Sequence, residues 1–267
     1  ANGASSTASG LNSTAIGASS TASAQGSTAN GSSSRASGAF STANGGSSNA
    51  SGSASLASGF SSTARGLSST AVGTNSNSVG NGDIALGASA RTVNSAGATH
   101  GNIAIGSASG IVAGGSNGTR TTANGGNSIA LGTAVSSTGA GAIAIGANSS
   151  ANFAGSVAIG VGAATTQANQ IVLGIDSSIY KMTGIDSAAS RTAQGTVTGV
   201  VTTDANGNLA GDGGALQGQV NTNATGVTTN ATAIAGNTTN ITANTTNIGT
   251  LQTYVGNNRT AITGVRN

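Results

Sequence analysis

The chain has 267 residues, of which aromatics make up 2% and charged residues 5%, with 45 glycines and no proline, cysteine or tryptophan. So little large apolar volume excludes an ordinary globular core, and the lack of cysteine excludes both a disulfide framework and a thiolate metal site. The net charge is only +3, and it reflects scarce acids rather than a basic tract, so no nucleic-acid partner is expected.

Twelve glycines stand on one seven-residue grid at 3, 10, 17, 31, 38, 45, 52, 59, 66, 73, 80 and 87, interrupted only by Ala24. Two positions before each grid point is alanine, with Ser78 the one exception. Gly, Ser and Thr in bulk also describe a flexible linker, but a linker does not hold a strict period over a dozen units. Past Gly87 the beat becomes fourteen, in Ile129-Ala-Leu-Gly132, Ile143-Ala-Ile-Gly146, Val157-Ala-Ile-Gly160 and Ile171-Val-Leu-Gly174. Each triplet is too short for a helix, and its alternation followed by Gly predicts a strand and a turn. Two strands per fourteen residues predict a narrow roll of stacked coils over residues 1–174.

Alternation along each strand puts alanine in the interior and its two neighbours outside. Taking every second unit together separates the outer pairs into two sets. One begins with Thr14/Ile16 and ends in Ile-x-Ile; the other contains Arg35 and Arg65. An alanine-filled roll buries too little apolar surface to offset its ordering entropy, so the apolar set is expected to be covered by further copies of the chain. The expected interface residues are Ile84, Leu86, Ile103, Ile105, Ile129, Leu131, Ile143, Ile145, Val157, Ile159, Ile171 and Leu173.

The spacings Gly87 to Gly106 and Gly106 to Gly132 exceed fourteen by five and twelve residues. Such insertions are expected to form loops on one face, where binding contacts are common. The candidate adhesive residues are therefore Arg91, His100 and Arg120 in or beside these loops, with the outward arginines Arg35 and Arg65. Asp83 reads as a turn residue. His100 is the only histidine, glutamate is absent and the five aspartates are scattered, so no catalytic constellation, no metal site and no enzyme are expected.

Residues 175–215 break the period and read as a connector, with Asp204-Ala-Asn206-Gly207 predicting a hairpin turn and Asp212-Gly-Gly a flexible or strained junction. From 216 to 267, Val220, Val227, Ile234, Ile241, Ile248, Val255 and Ile262 recur every seven residues, which is the a seam of a parallel coiled coil. Five of the seven d positions are asparagine: Asn223, Asn230, Asn237, Asn244 and Asn258. In a symmetric trimer, each such layer brings three amides to the axis, where their N–H groups can converge on an anion such as chloride or be satisfied by ordered water. Several Asn-x-Thr sequons, as at Asn223 and Asn230, coincide with these core positions, so the core accounts for them without glycosylation.

Two sets of these residues resemble one family, the trimeric autotransporter adhesins of Gram-negative bacteria. Asn127-Ser-Ile-Ala-Leu-Gly132 and Gly155-Ser-Val-Ala-Ile-Gly160 are similar to its head motif, and Ile234-x-x-Asn237-Thr238 and Ile241-x-x-Asn244-Thr245 to its stalk motif. The resemblance implies an all-β head, a left-handed parallel β-roll packed as a homotrimer, followed by a connector and a parallel trimeric α-helical coiled coil with anions in its core. It also implies a protein of the bacterial cell surface, anchored to the outer membrane through parts beyond this chain, that attaches the cell to host extracellular matrix proteins, cell-surface receptors or abiotic surfaces. Two alternatives stand beside it: a segment of a trimeric phage tail fibre, and an ice-binding solenoid suggested by Thr7, Thr14, Thr21 and Thr28.

Overall fold

The computed structural model describes residues 1–93, 101–110, 118–197 and 199–266. It divides into two compact units, Ala1–Tyr180 and Lys181–Asn267.

The first unit is a parallel β-roll. Two-residue strands from Thr7–Ala8 to Ser150–Ala151 form a sheet of ten, and three-residue strands from Thr14–Ile16 to Ile171–Leu173 form a sheet of eleven. The chain alternates between the sheets, so every strand pairs in parallel with the strands one coil before and one coil after. Alanine sits on alanine, as in Ala71↔Ala85 and Ala130↔Ala144. Each central alanine is buried with no exposed surface, while its neighbours on the strand are exposed or half-buried.

A second interior ladder, absent from the grid reading, stands one residue before each strand. Ser20, Ser27, Ser34 and every seventh residue to Ser76 are serine and buried. A buried hydroxyl needs a partner, and in part of the ladder the turn supplies one, whereas the Oγ atoms of Ser20, Ser34, Ser69 and Ser76 find none among the described residues. Ser27, Ser48, Ser55 and Ser62 donate to the carbonyl three residues back at 2.6–2.9 Å. Serine is therefore as much a core residue here as alanine, and the seven-residue recurrence of serine was its signal in the sequence.

The glycine grid has a cause beyond turn conformation. Strands of neighbouring coils are about 4.8 Å apart, and at the corners backbone faces backbone. A Cβ on Gly52 would lie 1.9 Å from the carbonyl oxygen of Gly66, and one on Gly66 would lie 2.0 Å from that of Gly80. Gly52 and Gly66 have ordinary φ values, so glycine is needed there for space alone. At the ends of the three-residue strands, as at Gly45 (φ +134°), a left-handed conformation is required as well. The roll ends in a fold-back: the Tyr180 hydroxyl donates to the carbonyl of Leu173 on the last strand, and Ser178 Oγ accepts from the Ile175 amide at 2.9 Å.

The second unit contains α1 (Ala188–Gln194), an antiparallel hairpin of Val201–Thr203 with Leu209–Gly211, and α2 (Ala215–Val265). Ser187 caps α1 by accepting from the Ser190 amide at 3.1 Å. The expected turn between the hairpin strands is present. Asp204 accepts from the amides of Asn206 and Asn208 at 2.9 Å each, and Gly207 takes a positive φ. These bonds, with that from the Asn208 side chain first among them, hold the Asp204 carboxyl below the usual carboxylate range.

The Asp212-Gly-Gly segment, expected to be a flexible or strained junction, is held by a set of hydrogen bonds to the Asp212 side chain. The Asp212 carboxylate accepts from the amides of Val200, Gly214 and Leu216 at 2.9, 2.9 and 3.0 Å, tying the hairpin to the start of α2. Gly213 and Gly214 both have positive φ, at 63° and 82°, which is why two glycines stand there. Among the described residues of this unit none is buried. α2 is rich in Thr, Asn and Gly, poor helix formers, and its threonines spend their hydroxyls on carbonyls four residues back, as Thr238 does on Ile234 at 2.9 Å. Packing rather than intrinsic propensity must sustain a helix of 51 residues with this composition.

Two outcomes test this account. Gly52→Ala should destabilise the roll by about 3 kcal/mol, an overpacking cost, read as a lower denaturation midpoint, whereas Ala54→Gly in the adjoining turn should be nearly neutral. The carboxyl of Asp212 is held low first by the Val200 amide, then by those of Leu216 and Gly214. Its contribution is therefore present above the unfolded value of about 3.9 and disappears as pH falls through the lower folded value. Protection factors of the Val200, Gly214 and Leu216 amides should stay flat from neutrality to about pH 4 and drop below it, and Asp212→Ala should lower them above about pH 4 and remove that pH dependence.

Candidate interaction surfaces

The outer faces of the two sheets differ in chemistry. On the three-residue sheet the apolar pairs fall into register, Ile84↔Ile103↔Ile129↔Ile143↔Val157↔Ile171 in one column and Leu86↔Ile105↔Leu131↔Ile145↔Ile159↔Leu173 in the next. All twelve expected interface residues thus share one face. Ile171 is 68% exposed, and Leu86, Leu131, Ile159 and Leu173 are each 40% exposed or more. A parallel sheet ordinarily has both faces covered, so this column pair is an unpartnered surface in a single chain. Towards the N-terminus the same columns become polar, with Thr28/Asn30 and Thr42/Asn44 stacked and the Asn30 amide donating to Asn44 Oδ1 at 3.3 Å.

The two-residue sheet carries the cations. Arg35 and Arg91 occupy the first strand position, in one column, and Arg65 stands just past Thr63–Ala64 on the same face. Arg35 and Arg65 are exposed, and Arg91 is half-buried. Arg120 is exposed two residues before the strand Thr122–Ala123, at the end of the second insertion. His100 lies outside the described residues, as do 94–99 and 111–117 of the two candidate loops.

The insertions do not share a face, contrary to the expectation from repeat architecture. The first runs from a two-residue strand (Arg91–Thr92) to a three-residue one (Ile103–Ile105), and the second from that strand to Thr122–Ala123. They leave from opposite edges of the roll, and register is kept across both, with Ile84↔Ile103 and Arg91↔Thr122.

Asp83 is the device that keeps it. It takes part in its turn, as the sequence suggests, and is also fully buried in the interior ladder where serine stands in plain coils. In a plain coil a seryl hydroxyl donates to a carbonyl, in its own turn as for Ser27 or nine residues on as for Ser41 to Ala50 at 3.2 Å. The longer carboxylate accepts from Gly80 at 2.9 Å in its own coil and also from the Gly101 and Asn102 amides of the next, at 3.1 and 2.8 Å, where the chain returns from the first insertion. Asn102, equally buried, repeats the device one coil later: its Oδ1 accepts from Gly126 N at 2.9 Å and Ser128 Oγ at 2.9 Å. The displacement of serine by Asp and Asn at these two coils was visible in the sequence, but only once the serine ladder is recognised as interior.

On α2 every a residue is exposed, from Val220 at 52% to Val227 at 68%, and the d positions Asn223, Asn230, Asn237, Asn244 and Asn258 are exposed with them. Heptad spacing puts both sets on one stripe of the helix. Among the described residues no group of three or more His, Cys, Asp or Glu side chains converges as a metal site, and no helix is long and apolar enough to cross a membrane.

The sequence matches the family model described as the YadA head domain repeat at residues 1–20, 8–34, 22–48, 50–76, 64–90, 116–134 and 137–163, together just over half of the chain. Among solved structures the chain is similar to the collagen-binding domain of the Yersinia adhesin YadA, with 23% sequence identity and a TM-score of 0.39, over 71% of this chain and 86% of that one. No curated protein matches it.

Proposed function

Because the chain belongs to the family of YadA head domain repeats, the YadA-like trimeric autotransporter adhesins, we propose that it is the head and part of the stalk of a homotrimeric bacterial surface adhesin. Its head attaches the cell to host extracellular matrix proteins, cell-surface receptors or abiotic surfaces. The full-length protein holds this head outside the cell through an outer-membrane anchor. The observation that carries the reading is the opposition of the two faces of the roll. The Ile/Leu/Val columns from Ile84 to Leu173 are uncovered on one side, and a Ser, Thr, Asn and Arg surface lies on the other. Three chains that turn the apolar columns inward bury them and leave three identical polar faces outward. Attachment then needs no deep pocket, since three copies of a weak contact raise avidity.

In the same assembly the exposed a residues of α2 form the stalk core. The d-position amides of Asn223, Asn230, Asn237, Asn244 and Asn258 meet at the axis, where their N–H groups hold chloride or similar anions. Chemistry on a substrate forms no part of this function, and the family is one of adhesins.

Three measurements check the proposal. Cells displaying the full-length protein should adhere to a panel of matrix proteins and plastic, and removal of residues 1–174 should abolish that adhesion. Sedimentation of the purified chain should give a trimer at all accessible concentrations, and a stably folded monomer would refute the packing. Crystals soaked in bromide should show anomalous peaks on the three-fold axis at the Asn237 and Asn244 layers; an axis free of them would leave the amides to water.

A further inference from the structure

Arg35, Asn49, Thr63, Asn77 and Arg91 follow one another in register along one column of the two-residue sheet. At about 4.8 Å per coil the two arginines are roughly 19 Å apart. Arg65, two residues past Thr63 on the same face, stands midway between them. Counted along the roll axis an arginine thus recurs at every second coil, about every 9.6 Å, with the Arg65 backbone offset from the column by two residues, about 6.6 Å.

The groups between the arginines are also donors. The half-buried side chains of Asn49, Thr63 and Asn77 offer amide N–H and hydroxyl O–H groups. The face carries no negative charge, because Asp83, the only acidic residue in positions 1–174, is buried and already accepts three backbone amides. The three phenylalanines lie off this face, at the connections between strands, so no aromatic platform for nucleobases accompanies the cations. A straight row of N–H and O–H donors with a cation at regular intervals fits an extended polymer that presents acceptor oxygens and repeated negative groups.

We infer that this row binds a linear sulfated polysaccharide laid along the roll, its sulfate groups paired with Arg35, Arg65 and Arg91 and its oxygens taken by Asn49, Thr63 and Asn77. The inference rests on the adhesin reading and names a ligand class for its outward face. In the proposed trimer the row occurs three times, so a long chain engages more than one copy.

Heparin is the probe, immobilised and presented to the assembled full chain at physiological salt. Heparin should bind, while chemically desulfated heparin should not. The triple variant R35Q/R65Q/R91Q should bind at least tenfold more weakly. Arg65→Glu, a single change at an exposed site, should weaken binding severalfold, with both variants melting at the wild-type temperature. Arg191→Gln, in the other unit, should bind as wild type. Undiminished binding by Arg65→Glu and the triple variant, equal binding of desulfated heparin, or tighter binding of duplex DNA than of heparin would overturn the assignment. If heparin does not bind while deletion of residues 1–174 still abolishes cell adhesion, the polysaccharide falls and the adhesin stands. If heparin binds as expected but that deletion leaves adhesion intact, the adhesin reading falls instead.

Discussion

Everything in the head follows from one distance, the 4.8 Å between stacked coils. At that spacing two backbones meet at the glycine corners with no room for a methyl group, as the contacts that a side chain on Gly52 or Gly66 would make demonstrate. Within each coil the same tightness keeps the interior mostly to alanine and serine, with Asp83, Asn102, Thr92, Thr121 and Val135 the larger exceptions. Stability then comes from in-register hydrogen bonds and from many small contacts, with little apolar volume per residue. Most large apolar side chains have nowhere to go but outward, which is why Ile and Leu appear in exposed columns.

Much of this was legible in the sequence because a solenoid repeats its constraints. The glycine grid marked the corners, alanine two residues earlier marked the interior, and the outer pairs separated by face without any knowledge of coordinates. The serine ladder was equally periodic, yet it went unread because serine is an ordinary surface and turn residue, and only a structure shows that Ser27 or Ser55 turns its hydroxyl back into its own corner. The same blind spot hid Asp83 and Asn102. A polar residue before a strand reads as turn chemistry unless the column it occupies is known to be interior.

Where the period fails, so did inference from pattern. The insertions after Thr92 and Ile105 were placed on one face because repeats usually extend loops that way, but the alternation of strands between two sheets sends them to opposite edges. The joint before α2 shows a different difficulty. Asp212 bonds to a residue twelve positions earlier and to one four positions later, so its role depends on a hairpin that brings Val200 back to it. Local composition signalled the turn residues in that segment and carried no trace of the carboxylate that locks them.

The fold-back at the end of the roll has a consequence for the cell that makes it. A stack of identical coils ends in a strand whose free amides and carbonyls would accept another coil from any molecule of the same kind, and export of many copies would bring such ends together. By turning the Tyr180 hydroxyl onto the carbonyl of Leu173, the chain occupies part of that template with its own atoms. A terminus stoppered in this way discourages fibre growth from head to head during secretion.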